Sequence, residues 1–146
     1  MNQRGLDYLL ALSLSLFISA DLMACQCMDY DLQGRYKEAD SVVIGTVISG
    51  NLTKERVNDD EIMPPIIEVE VEVEEVLKGV VDPIIRVKTW AGGTYGSCGL
   101  PVTIGDHFLL FVNGGVVEEC SGSSDYHKVR DASRLDELRR FRDDES

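Results

Sequence analysis

Positive charge is the first scarcity. Only 14 Lys and Arg stand against 26 Asp and Glu in 146 residues, a formal net charge of -12. Phosphate recognition needs clustered Lys and Arg, so nucleic acid is not expected as a partner. Attachment to an anionic membrane surface by charge alone is disfavoured for the same reason. No internal period is visible, which argues against a repeat array. The apolar run 9–20 (LLALSLSLFISA) has 12 residues, short of the ~20 that span a bilayer as a helix. Histidine is scarce too. His107 and His127 are the only two, and neither has a third ligand at metal spacing. What remains, 44% hydrophobic and 7% aromatic, is a globular composition of a length that suits one domain.

The same apolar run has the length of a secretory signal core, with Arg4 before it and the small residues Ala20 and Ala24 after it. We therefore expect residues 1–24 to be a signal peptide cleaved after Ala24, a folded domain over 25–122, and a linker with a C-terminal helix over 123–146. Cleavage after Ala20 is the rival. Leu22-Met23-Ala24-Cys25 also loosely resembles a lipoprotein processing site. Either route places the mature chain outside the cytoplasm, secreted or periplasmic, where cysteines pair.

Along the mature chain, 25–32 reads as irregular and 32–39 as a short helix weakened by Gly34. Residues 41–49 (SVVIGTVIS) are β-branched and apolar, as a largely buried strand requires. A polar loop or a long hairpin connection is expected over 50–65. Residues 66–76 (IIEVEVEVEEV) alternate: Ile67, Val69, Val71 and Val73 share one face, Glu68, Glu70, Glu72 and Glu74 the other. Residues 83–90 (PIIRVKTW) alternate again, so Arg86 and Lys88 are expected opposite the glutamates. A core strand over 106–113 is followed by the turn Asn113-Gly114-Gly115 and a return strand over 116–120. Residues 132–142 are expected to form a helix with Leu135, Leu138 and Phe141 on one stripe and Ser133 as its cap. About five strands without βαβ spacing indicate an all-β fold with flanking short helices. A five-stranded OB-like Greek-key barrel is the simplest form, and a β-sandwich the rival.

Cysteine is also scarce, and its spacing is informative. Cys25 and Cys27 stand in a C-x-C, with Cys98 and Cys120 far downstream. Neighbours one residue apart rarely bridge each other, so each is expected to find a distant partner; three connectivities are open. A four-cysteine zinc site would need C-x2-4-C knuckles, which are missing.

An initial C-x-C, then Ala39 to Gly45, Val76-Leu77-Lys78-Gly79, Ser97-Cys98-Gly99, Phe108-Leu109-Leu110 and Glu119-Cys120-Ser121 in that order, resembles the tissue inhibitors of metalloproteinases and the wider netrin-like domain family. The resemblance implies a disulfide-stapled OB-like barrel with bridges Cys25–Cys98 and Cys27–Cys120. It implies a partner, a zinc metalloprotease, whose catalytic zinc would be chelated by the α-amine and carbonyl of Cys25. Gln26 would enter the pocket beside that metal and Met28 would continue the inserted edge. Ser97 and Cys98 would lie alongside. The chain would need no cofactor and would act as a monomer. The alternative implied by the wider family is a non-inhibitory module that binds another extracellular protein, lipid-anchored through Cys25.

An enzyme is not expected. A redox C-x-x-C at a helix start is missing, and Asp125 and His127 with Ser121, Ser123 or Ser124 occupy a short polar linker without a nucleophile elbow. The glutamate row is expected to be a solvated strand face. Asn51-Leu52-Thr53 matches a glycosylation acceptor, a short pattern that is common by chance.

Overall fold

The computed structural model describes Cys27 and residues 31–53, 65–91, 98–127 and 132–145. Helix α1 (Leu32–Glu38) starts where Asp31 accepts the Gly34 N–H at 2.7 Å, a side-chain cap that offsets the glycine. It ends where Lys78 Nζ donates to the carbonyls of Tyr36, Lys37 and Ala39 at 2.7–2.9 Å. Those carbonyls would otherwise be orphans of the last turn.

Strands β1 (Ser41–Leu52), β2 (Ile66–Lys78), β3 (Ile84–Trp90), β4 (His107–Val112) and the two-residue β5 (Ser124–Asp125) follow, then helix α2 (Ala132–Glu145). They form one antiparallel five-stranded sheet, ordered β3-β2-β1-β4-β5. The expected charge pairing is present. Glu68 faces Lys88 and Glu70 faces Arg86 across β2 and β3.

Three expectations need correction. Residues 50–52 belong to β1 rather than to a loop, because Gly50, Asn51 and Leu52 pair with Val69, Glu68 and Ile67 and extend the ladder. Residues 116–120 are not a strand beside β4. The turn closes as expected, with Asn113 and Val116 exchanging backbone hydrogen bonds. The chain then leaves β4 and bridges elsewhere: Val116 to Lys88, Glu118 to Gly99. Residues Glu119–Ser121 coil into a 3-10 turn, and the fifth strand is β5. The outward edge of β4 at Phe111 is satisfied by Ser123, whose hydroxyl accepts from Phe111 N–H at 2.9 Å, so no backbone partner is required there. Ser133 lies inside the first turn of α2, not before it.

Apolar side chains fill both faces of the sheet. On one face Val42, Ile44, Leu77, Leu109 and Phe111 are covered by Tyr36 of α1 and by Leu135, Leu138 and Phe141 of α2. The expected helix stripe therefore packs on the sheet. On the other face Val43, Val47, Val69, Val71, Val87, Phe108, Leu110 and Val112 meet Leu100 and Val117 from the connections. Burial from both sides explains why β4 reads as an unbroken apolar run. The sheet is not closed: β3 and β5 are its edges, and a single parallel bridge, Lys88 to Val116, spans from β3 to the segment after β4.

Candidate functional site: the disulfide-bonded end

Four segments distant in sequence converge near the end of β3. Cys27 is disulfide-bonded to Cys120, 93 residues away, with Cα atoms 5.0 Å apart. Cys98 lies against the same segment, its carbonyl accepting the Glu119 N–H at 3.0 Å. Cys98 is disulfide-bonded as well; its expected partner, Cys25, lies outside the described residues. So do Gln26, Met28 and Ser97. Of the six residues expected to form an inserted edge, Cys27 and Cys98 are described, both partly exposed.

The support beneath them is polar and specific. Thr89 is buried on β3, and its hydroxyl accepts the Leu100 N–H at 2.8 Å. Trp90 Nε1 donates to Glu118 Oε1 at 3.2 Å, tying β3 to the segment that carries Cys120. Lys88 N–H bonds Gly115 C=O, and Val117 N–H bonds Lys88 C=O, both at 2.8 Å. Gly99 passes so close to Trp90 that a Cβ there would lie 2.0 Å from its carbonyl oxygen, so only glycine fits. Ser121 hydroxyl donates to Glu118 C=O at 2.6 Å, closing the turn behind Cys120. The backbone from Cys98 to Leu100 and on both sides of Cys120 is thus tied to the sheet through named bonds.

Sequence reasoning missed this support. Thr89 has a visible signal, since alternation places it on the same buried face as Val87. The Trp90–Glu118 bond joins residues with no local relation, and nothing in either sequence neighbourhood announces it.

Most of the other candidates resolve into structural roles; the Ser124 hydroxyl is buried with no hydrogen-bond partner among the described residues. His107 stacks on Tyr126 with ring centroids 4.3 Å apart, and its Nε2 lies 3.0 Å from Glu74 Oε2, off the line of a hydrogen bond. Asp125 accepts the backbone N–H of His127, and Ser121 and Ser123 bond the backbone of Phe111. Among the described residues no three His, Cys, Asp or Glu side chains group as metal ligands. Among them, too, no helix is long and apolar enough to cross a membrane. Asp31, four residues after Cys27, is engaged as the cap of α1.

No family model matches the chain, and no curated protein matches it.

Proposed function

We propose that the chain is an exported inhibitor of zinc metalloproteases with a netrin-like, OB-type barrel. On this reading the mature protein begins at Cys25 after loss of residues 1–24. The α-amine and carbonyl of Cys25 close a five-membered chelate on the partner's zinc. Gln26 and Met28 extend the inserted edge, and Ser97 and Cys98 flank it. The carrying observation is the Cys27–Cys120 bridge with Cys98 hydrogen-bonded beside it, because that convergence is the one the resemblance requires of a rigid wedge. The parallel Lys88–Val116 bridge supports the barrel, since it joins the edge strand β3 to the far side of the sheet.

The chemistry is self-consistent. A catalytic zinc keeps a position open for water that a nitrogen ligand can take. An α-amine titrates near ~7.7–8.0, so a usable fraction is neutral at physiological pH. Cross-linking the segment in advance lowers the ordering cost of binding.

The test is inhibition of a panel of zinc endopeptidases by mature protein whose start at an unmodified Cys25 has been verified by intact mass. One alanine added ahead of Cys25 is expected to abolish inhibition. An unchanged inhibition constant would overturn the chelation mechanism. The Leu22-Met23-Ala24-Cys25 sequence supports a second reading, a lipid-anchored binding module. A lipid-sized mass increment on Cys25 would select it.

A further inference from the structure

The ladder of β3 has a two-residue rhythm. Pro83 C=O and Ala91 N–H point to β2, bonding Val73 and Pro65, while Lys88 turns its N–H and C=O outward to Gly115 and Val117. By that period the N–H and C=O of Ile84 and Arg86 also point away from β2. Among the described residues nothing pairs with them, because the crossing segment reaches β3 at Lys88 alone. Such an edge is a template for an added strand.

The surroundings are shaped for one. A groove of about 750 Å³ runs along this edge. Val81 and Ile85 form its floor, leaning on the inner core, while Val80 is fully exposed and Ile84 is 51% exposed at its wall. Glu70 and Asp82 rim it. Arg86 is turned back onto Glu70 at 3.0 Å, and Asp82 has no ion pair among the described residues.

We infer that the open edge at Ile84 and Arg86 is a docking site for an extended cationic peptide segment, added as a further strand with alternate apolar side chains on Val81 and Ile85. Charge selects this occupant over a second copy. Two net-acidic chains repel. Arg86 and Lys88 share the face that the added strand's cations would occupy, but Arg86 is already paired with Glu70, and Asp82 at the rim with Glu72 opposite Ile84 attract Lys or Arg side chains there. The inference is independent of the zinc-protease reading.

The test uses the mature protein and a dye-labelled alternating Lys-Val hexapeptide, followed by fluorescence anisotropy. The alternating Glu-Val peptide should bind at least tenfold more weakly. Arg86→Pro removes an outward N–H without touching the ladder to β2, and should weaken binding at least tenfold. Arg86→Ala, which loses the side chain and its bond to Glu70 but keeps the outward N–H, should change it less than threefold. If R86P does not fold, amide exchange on the unaltered protein decides. The Ile84 and Arg86 amides should slow at least tenfold under saturating peptide. Equal binding of the two peptides, R86P matching R86A, or unchanged exchange at those amides overturns the inference. Protection of the same amides in a concentration-dependent dimer without peptide would overturn it in favour of a second copy.

Discussion

Glu70 and Glu75 stand on one face of β2, similarly exposed at 32% and 28% of their side chains, yet they sit in different regions of the molecule. At the open end of the face, Glu70 accepts from Ser49 and from Arg86, a side chain 71% exposed. At the other end α1 and α2 cover the sheet, and Glu75 receives two hydrogen bonds from Arg139 and one from Arg142, side chains only 38% and 37% exposed. Both carboxyls are held below their ordinary value, Glu70 by Ser49 first and Arg86 second, Glu75 by Arg139 against a burial that works to raise it. The lesson is that the cover gives a carboxylate its structural weight. Beneath α2 the pair is a forked, partly desolvated clamp on a helix; in the open it is a surface ion pair that solvent screens.

Four measurements sharpen or break that contrast, in order of size. Leu138→Ala removes a fully buried side chain where α2 meets the sheet and should cost about 3 kcal/mol in urea unfolding. A loss below ~1 kcal/mol would mean that α2 is not integral to the core. Tyr36→Phe deletes the buried hydroxyl that donates to Leu77 C=O at 2.9 Å and leaves that carbonyl bare, for a loss of about 1–2 kcal/mol. Glu75→Gln keeps the shape and removes the charge under two guanidinium groups. Allowing for its partial exposure, about 1 kcal/mol should be lost. Glu70→Gln should leave the melting temperature unchanged within error, and a loss equal to that of E75Q would end the distinction.

The acid limb makes the same comparison by titration. The folded-state pKa of Glu75 lies below its ordinary value of 4.5, so its stabilisation is complete above that value and is lost as pH falls through the folded pKa. Stability of the native chain should therefore drop below about pH 4.5, and E75Q should flatten that drop more than E70Q does. Equal flattening would show that the cover adds nothing.

Much of this contrast was hidden from the sequence. Strict alternation predicts Glu68, Glu70, Glu72 and Glu74 together and puts Glu75 on the opposite face. In the structure Gly45 faces Val73 and Ile44 faces Glu75, so Glu74 is an extra residue and the alternation shifts. Glu74 bonds Thr46 while Glu75 lies opposite Ile44, and both glutamates occupy the same face. A bulge of this kind is a property of the pair of strands, and neither strand alone encodes it legibly. The disulfide end shows the same division. A distant partner for each cysteine was expected from spacing, whereas the underpinning by Thr89, Trp90 and Glu118 depends on which segments the fold brings together.

By itself the sequence determined what a local period carries. The four long strands, the inward valines of β2, the Arg86 and Lys88 register partners and the Leu135–Leu138–Phe141 stripe all follow from spacings of two or three residues, because side-chain direction repeats along the chain. Only the tertiary structure decided the bulge that turns Glu75 toward α2, the departure of residues 116–120 from β4, and the bridge from Val116 to Lys88 that leaves Ile84 and Arg86 open. Each of these depends on which backbone groups remain unpaired once distant strands have met, and that is settled between segments rather than within them.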